Sequence, residues 1–540
     1  MIRMAGQRKA LVIAAAIIQI IGPTPTRATA LIVSDEPPAE TQVAPILEAF
    51  VSYSIEFSSF PDFAGNNSHP NTFSNNLLNN LGNLTGTKPY IRVGGNTQDY
   101  ALYNADLKIA LQGTIVPSRA QDYPTVISIG PSYFESYNTW PDTKYIHGFN
   151  MGLGGNTSAG WQTLIDTVPL ACQALGNEKL LWWEYGNEPD LFSTSSQGAV
   201  RPPTWNESTY VDQWLNATRM IKVQLQNYCP DLAENGSYGY LAPSFAGLNN
   251  HLKPVKTWQS GLDVDKSIKV ISSHNYIGGA TQPGVTLQGT LLNHTVTVRS
   301  VDAQAQLGRD LSYTGLPFIL GETNSLYNQG KPGLSNAFGA ALWGIDFNLY
   351  SASVGIQRVH MHMGTNYRYQ AWQPIHTNIT TIGTKPPYYG QIVVAAMLGS
   401  QNEGATTITN IPTTSSHEAI YAAYTADSQL ARVAIINMRQ YNYTINSTSS
   451  VPNPVPRPSV EYELQLPDCF DGTEASVKRL VANGSDAITG ISWDGVSYNW
   501  ELDEGRPVRL GNVTTGEKVA VEDGLVKVSV PDSEAVILEF

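Results

Sequence analysis

Leu181-Trp182-Trp183-Glu184-Tyr185-Gly186-Asn187-Glu188-Pro189-Asp190-Leu191-Phe192 is the stretch on which the fold turns. Leu180 to Trp183 is an unbroken apolar run, as expected of a strand buried on both faces, and the polar Gly186-Asn187-Glu188 falls where such a strand ends. In a closed parallel barrel the carboxyl ends of the strands open onto the active site, so Glu188 is expected to face a cavity rather than the core. Pro189 disfavours the helical well for the residue before it, which predicts an extended Glu188.

Asn187-Glu188-Pro189 after an aromatic strand resembles the acid/base strand of the large retaining glycoside hydrolase clan built on the (β/α)8 barrel. That clan carries a second carboxylate, the nucleophile, at the end of strand 7. Leu316-Pro317-Phe318-Ile319-Leu320-Gly321-Glu322-Thr323-Asn324 supplies it in Glu322. The bland alternative, a loop-capping Glu188 and a solvated Glu322, leaves unexplained why two carboxylates each close an apolar strand at clan spacing.

A chain of 540 residues has room for more than one domain, one of them a barrel of about 250 residues or more. Hydrophobic content of 42% is that of an ordinary globular protein, whereas 14% charged residues is low for a cytosolic one. The net charge of −13, unrelieved by any run of Lys and Arg, argues against nucleic acid or a heparin-like polyanion as partner. Arg3, Arg8 and Lys9 precede the apolar stretch Ala10 to Ile21, and Ala28-Thr29-Ala30 is a small-residue cleavage site. Residues 1–30 are therefore expected to be a secretory signal peptide, too short in its apolar part to span a membrane, with the mature chain beginning near Leu31. In a secreted, extracellular protein the Asn-x-Ser/Thr triplets at Asn66, Asn83, Asn156, Asn206, Asn216, Asn235, Asn293, Asn378, Asn442, Asn446, Asn483 and Asn512 become glycosylation candidates. Of the cysteines Cys172, Cys229 and Cys469, the first two are expected to pair, because each lies near the end of a predicted helix on either side of the Glu188 strand.

In chain order, Leu31 to Ala49 is Pro-rich and reads as one extended strand with turns; residues 50–400 read as the catalytic barrel. Its strands are predicted at Val51–Phe57, Lys88–Gly95, Tyr145–Met151, the Glu188 strand, Tyr238–Ser244, Ile268–Ser273, Phe318–Glu322 and Ile356–Met363. Helices are expected at Thr163–Leu175, Ser208–Tyr228, near Val298–Leu307, Ser335–Tyr350 and Pro387–Leu398. Residues 101–140 are expected to be a long loop with a strand pair around Val126–Ile129, on the catalytic face where insertions shape specificity. Gly94-Gly95 lacks the third glycine and following helix of a dinucleotide loop. From residue 401 to 540, short alternating strands punctuated by Gly, Asn, Asp and Pro predict a C-terminal all-β sandwich.

Tyr90-Ile91-Arg92-Val93-Gly94-Gly95 with Asp99, Asn187-Glu188-Pro189, His274-Asn275-Tyr276, Gly321 through Tyr327, and Asn366-Tyr367 after strand 8 together resemble glycoside hydrolase family 79, which contains secreted β-glucuronidases and heparanases. The resemblance implies an α/β fold: a (β/α)8 TIM barrel with a C-terminal β-sandwich that also takes a strand from the N-terminal segment 31–49. It implies Glu188 as acid/base and Glu322 as nucleophile, with Tyr276 donating to Glu322 and Asn187 holding the sugar 2-hydroxyl. It further implies a nest of backbone N–H groups for the uronic carboxylate, here Asn328, Gln329 and Thr365, joined by Tyr367. The chain departs from the heparanase pattern, which has glycines at those first three positions. Glu56 and Asp99 are candidates for the remaining hydroxyls and Tyr327 for the pocket wall. His360 and His362, two apart on strand 8, lack a third ligand and are expected to line the barrel rather than bind metal; no cofactor is implied. Trp182, Trp183, Trp343 and Trp372 are candidates for sugar stacking, with at least one of the first two in the core.

The expected function is a retaining exo-β-glucuronidase acting on terminal β-linked glucuronic acid, including the 4-O-methylated form, in arabinogalactan-type glycans or small glucuronides. The rivals are an endo-acting, heparanase-like enzyme, disfavoured by the missing basic clusters, and a non-catalytic carbohydrate-binding protein on the same fold, disfavoured by both carboxylates. A monomer or weak oligomer with no nucleic-acid or membrane partner is expected.

Overall fold

The computed structural model describes residues 30–39, 43–176, 178–195, 197–234, 236–400, 404, 406–445, 449–450 and 456–540. The expected signal peptide, apart from Ala30, and the triplets beginning at Asn235 and Asn446 lie outside the described residues. Eight parallel strands close into a barrel: β1 (Val51–Glu56), β2 (Ile91–Gly94), β3 (Tyr145–Phe149), β4 (Leu180–Tyr185), β5 (Tyr240–Phe245), β6 (Ile268–Gly279), β7 (Phe318–Tyr327) and β8 (Val359–Met363). Every residue of β1, β2, β3, β5 and β8 is buried, because helices cover the outside and side chains fill the inside.

Two strands differ from expectation. β7 does not end at Glu322 but runs on to Tyr327, and β6 runs on to Gly279, the two pairing along that extra length. Their register shifts after Ser273, so that Ser273 faces Leu320 and His274 faces Glu322, with Gly321 as the extra residue. Such a bulge bends the strand and re-aims its side chains, and here the re-aimed residue is Glu322. The 101–140 insertion is also more ordered than a loop: Ala101–Tyr103, Val126–Ile129 and Leu111–Thr114 form a three-stranded sheet, followed by a 3-10 helix at Pro131–Asn138.

Beyond residue 406 the chain builds a second sheet-rich unit, and Leu31–Ile32 joins it as a parallel strand beside Leu464–Gln465. Val433, Ile435 and Val536 on one side meet Leu464, Val526 and Val528 on the other in a core of their own, which makes the unit a sandwich. The opposite faces of the same strands (Tyr421, Ala434, Ile436, Ile537) join the main core around the barrel. The helix Phe338–Ser353 is trapped between the two and is buried all round, which explains why it has no polar face. Buried Asp346 on this helix accepts from Tyr421 of the sandwich at 2.6 Å and pairs with His294 at 2.8 Å.

The helices Ser158–Leu175 and Glu207–Tyr228 flank β4, and Cys172 is bonded to Cys229 with the Cα atoms 6.2 Å apart. Cys469 is free and exposed. No helix among the described residues is long and apolar enough to cross a membrane. Because the disulfide closes a loop with a sequence separation of 57, its removal should release about 4 kcal/mol of unfolded-state entropy. A Cys172→Ser/Cys229→Ser variant is expected to unfold several degrees lower in a calorimetric scan while keeping its far-UV circular dichroism; an unchanged midpoint would show that the bond does not constrain the unfolded chain.

Candidate active site

At the carboxyl ends of the barrel strands lies a cavity of about 570 Å³ whose lining includes Glu56, Asn96, Asn187, Glu188, Tyr276, Glu322, Tyr327, Asn328, Gln329, His362 and Tyr369. The insertion contributes Tyr123, and the segment leading into it Tyr100. Residues after the Glu188 turn (Leu191, Phe192, Thr194, Ser195) line the cavity too.

The site is built around Arg92, fully buried on β2. Its guanidinium donates to Glu184 Oε2 at 2.8 Å, Glu322 Oε2 at 2.5 Å, Asn187 Oδ1 at 2.8 Å and Ser54 Oγ at 3.0 Å. Burial works to discharge it, but Glu184 and Glu322 outweigh that and raise its affinity for the proton. Gly94 leaves room for this: a Cβ there would sit 2.5 Å from Arg92 Nε. Gly95, at φ 101°, does the same for Glu56, whose Oε1 would be 2.6 Å from a Cβ. The double glycine thus packs two charged side chains against backbone.

Glu322 receives a second donor, the Tyr276 hydroxyl, at 2.7 Å. Glu188 sits opposite, with Oε1 3.0 Å from His274 Nδ1, and one oxygen each of Glu188 and Glu322 and a ring nitrogen of His274 all lie within 4.8 Å of one another. The two carboxyls differ in character. Burial and then the charge of Glu322 push Glu188 up to about 8. Burial alone would also raise Glu322, but His362, His274, Arg92 and the Tyr276 hydrogen bond hold it well below the usual carboxylate range. Side by side stand a protonated acid and a carboxylate, the pair required to protonate one atom while attacking its neighbour.

Glu188 is not extended as Pro189 led one to expect. It adopts the left-handed conformation (φ 50°, ψ 48°), with its N–H on Ser244 O at 3.0 Å. Proline restricts its predecessor against the right-handed helical well only, and the tight turn from β4 into the 3-10 helix Pro189–Leu191 selects the left-handed one. The cost of such a conformation for a non-glycine residue, about 1–3 kcal/mol, is the kind found at functional sites.

Other expected residues divide into those the cavity gathers and those it does not. Glu56 is gathered: its oxygens accept from Thr97 N at 2.8 Å, Thr97 Oγ1 at 2.6 Å and Tyr367 at 3.1 Å. Asn187 is bound between Arg92 and Asn96. Asn328 and Gln329 have φ of 62° and 59°, a left-handed turn of the kind glycine adopts without strain, here made by two residues that carry side chains. Among the described residues neither of their N–H groups has a protein acceptor. Tyr327 stands half exposed at the mouth.

Asp99 touches the cavity but is occupied. One oxygen accepts from Met151 N and Gly152 N at 2.7 and 2.8 Å, the other from Asn187 N at 2.8 Å, so it braces the loops rather than reaching for a hydroxyl. Thr365 is turned away: its N–H is bound to Ser59 Oγ at 3.0 Å and its hydroxyl to Asp62 at 2.7 Å, and it does not line the cavity. Tyr367 lies behind Glu56, and Tyr369 takes the position at the wall. None of Trp182, Trp183, Trp343 and Trp372 lines the cavity; all but the half-buried Trp182 are core. Arg92, His274 and Glu184, all present in the quoted motifs, and Ser54 were given no role by sequence, and His362 was read only as a histidine lining the barrel. A charged residue inside an apolar strand is the signal that could have found Arg92 and Glu184.

Residues 420–537 match the family described as glycosyl hydrolase family 79 C-terminal beta domain. A β-glucuronidase of Neurospora crassa is 61% identical over 91% of this chain and 91% of its own length, and one of Aspergillus niger is 57% identical over 92% and 91%. Among solved structures, a 4-O-α-L-rhamnosyl-β-D-glucuronidase of Fusarium oxysporum superposes with a TM-score of 0.74 at 23% identity, covering 94% of this chain and all of that one. A family 51 α-L-arabinofuranosidase of Bifidobacterium longum shares the fold at a TM-score of 0.58 and 11% identity, covering 94% and 99%. With two relatives above half identity along nearly the whole length, the chain belongs to glycosyl hydrolase family 79, the family of these fungal β-glucuronidases.

Proposed function

We propose that the protein is a retaining exo-β-glucuronidase that removes terminal β-linked glucuronic acid by double displacement. The observation that carries this reading is the closeness of Glu188 to Glu322, with carboxylate oxygens no more than 4.8 Å apart and opposite proton preferences. Retaining enzymes hold their carboxyls about 5–5.5 Å apart, whereas inverting ones need roughly 6.5–9.5 Å to admit a water between them.

In the first step the protonated Glu188 gives its proton to the glycosidic oxygen as the bond to the anomeric carbon breaks, and Glu322 Oε attacks that carbon from the opposite face. The leaving alcohol departs and a glycosyl ester on Glu322 remains. In the second step Glu188, now ionised, takes a proton from water, whose oxygen displaces Glu322 and restores the β configuration. Arg92 and Tyr276 keep Glu322 charged and aimed. Asn187, fixed through both ends of its amide, is set to hold the 2-hydroxyl, an interaction that strengthens as the ring becomes oxocarbenium-like. The free N–H groups of Asn328 and Gln329 suit the C6 carboxylate. Tyr100 and Tyr123 wall the cavity on the insertion side, which supports release of a single terminal sugar over internal cleavage. Secretion and the use of the described Asn-x-Ser/Thr sites belong to the same reading, supported by the leader pattern and the disulfide; a monomer or weak oligomer and acceptance of the 4-O-methylated sugar complete it.

The wild-type protein is expected to release p-nitrophenol from the β-glucuronide but not from the β-glucoside or β-galactoside, and proton NMR of the first-formed sugar should give the β anomer. Equal rates on all three substrates would remove the uronic specificity, and an α product would remove the retaining mechanism. Glu322→Ala and Glu188→Ala should each reduce turnover of an unactivated glucuronide by roughly 10³-fold or more; an unimpaired Glu322 variant would overturn the nucleophile assignment. A general acid must carry its proton, so kcat/KM should be sustained below the value of about 8 to which Glu188 is raised and fall as pH climbs through it. A profile with no alkaline limb in that region would separate Glu188 from the acid role.

A further inference from the structure

The pocket presents an electrostatic difficulty for the substrate proposed above. Glu56 and the ionised Glu322 line it beside the protonated Glu188, Glu184 stands directly behind, and the chain as a whole is acidic. A uronic acid brings one more negative charge. Arg92 cannot balance it, since its donors are taken up by Glu184, Glu322, Asn187 and Ser54. His274 cannot either: burial holds it down to about 4, and its Nδ1 is already turned to Glu188 and Glu322.

We propose that His362 is the residue that makes the pocket accept an anionic sugar, by taking up a proton as the uronate enters and offsetting the carboxylates around it. The proposal rests on the β-glucuronidase reading and adds to it a specificity-determining residue. His362 is fully enclosed at the end of β8, yet lines the cavity. Its Nε2 lies 3.4 Å from Glu56 Oε2 and its Nδ1 3.7 Å from Glu322 Oε2, which places the ring between the nucleophile and the carboxylate facing the sugar ring.

Strand register builds a proton-accepting arrangement around it. His362 is paired with Ser54 across β8 and β1, and Ser54 with Arg92 across β1 and β2. Ser54 Oγ accepts from Arg92 and lies 2.8 Å from His362 Nδ1. When His362 is neutral, the Ser54 hydroxyl donates to Nδ1 and Nε2–H faces Glu56. When Nδ1 gains a proton, it donates to Ser54 Oγ instead. Only a hydroxyl hydrogen moves, so the ring can change charge without rearranging a packed site.

The groups that face His362 pull in both directions, and the carboxylates prevail. Burial disfavours its charge and Arg92 opposes it, but Glu322 and Glu56 outweigh both, so it titrates above the ordinary histidine range. The rings of Tyr367 and Tyr369, each 6.1 Å away, belong to phenols driven upward by burial and remain neutral. Glu188, protonated, and His274 lie across Glu322 from it. A bound anion favours the charged ring, so affinity for the uronate is greatest where His362 is readily protonated and weakens as pH rises through its titration.

The test uses D-glucuronic acid as probe and the Glu188→Gln protein as background, which removes the other proton that binding could draw in. Just above the titration of His362 in the free protein, calorimetry in two buffers of different ionisation enthalpy should detect proton uptake on binding in Glu188→Gln and none in Glu188→Gln/His362→Gln; on the acidic side, where the ring is already charged, uptake should vanish. The double variant should bind about 10-fold or more weakly on the acidic side, with the ratio shrinking towards one above the titration. In the otherwise wild-type protein, His362→Gln should raise KM for the aryl β-glucuronide on the acidic side more than it lowers kcat. Thermal unfolding of each variant, with His362→Asn as a second replacement, identifies a folding defect, which would lower both parameters at every pH. Proton uptake that persists in the double variant, or an affinity loss that is the same at all pH, overturns the proposal. A wild-type protein that hydrolyses no β-glucuronide would instead refute the functional reading on which it rests.

Discussion

A single buried guanidinium holds the site together. Arg92 has lost its water entirely and must have each donor answered by protein, since an uncompensated buried cation would cost several kcal/mol. The acceptors that answer it are Glu184 from β4, Glu322 from β7, Ser54 from β1 and Asn187 from the turn after β4. One planar fork therefore fixes three strands and a loop relative to one another, and the distance between Glu188 and Glu322 follows from that. Lysine, a point charge on a flexible stem, could not replace it. The same interaction contributes to the chemistry: Arg92, with His362 and His274, keeps Glu322 ionised, whereas at Glu188 burial and the charge of Glu322 outweigh the pull of Arg92 and hold the proton on.

Around this clamp the structure spends its irregularities on the site. Gly321 is inserted as a bulge that turns Glu322 inward, Glu188 adopts a left-handed conformation in a turn anchored to Ser244, and Asn328 and Gln329 adopt another. Asp99 consumes three backbone N–H groups to hold the loops after β3 and β4 in place. The sandwich lies away from the cavity, but its contact through Asp346 and Tyr421 with the helix after β7 backs the strand that carries Glu322. Rigidity at the carboxyl ends comes from this support.

Much was legible from the residues alone. Apolar runs closed by polar residues marked the barrel strands, and Glu188 and Glu322 stood out because each follows an apolar run in a motif that resembles a retaining glycoside hydrolase clan, although β7 in fact continues past Glu322. Helix positions followed from spacing, with boundaries off by a few residues, as for Phe338–Ser353 against an expected start at Ser335. The insertion was underestimated: Val126–Ile129 alternates and was legible, but Ala101–Tyr103 and Leu111–Thr114 are short and lack the alternation that reveals a strand.

Thr365, Tyr367 and His362 mark the limit. All three lie in or just after β8 and their chemistry suits a sugar site equally well in the sequence, yet only His362 lines the cavity. Which one does so depends on strand register and on where the chain turns after Met363. The sequence determined the barrel, the sandwich and the two carboxylates proposed to do the chemistry, because burial patterns and strand-end chemistry are local. Tertiary structure alone decided the Arg92 clamp, the opposed proton affinities and the place of His362, because each depends on side chains from strands far apart in the chain meeting where water has been removed.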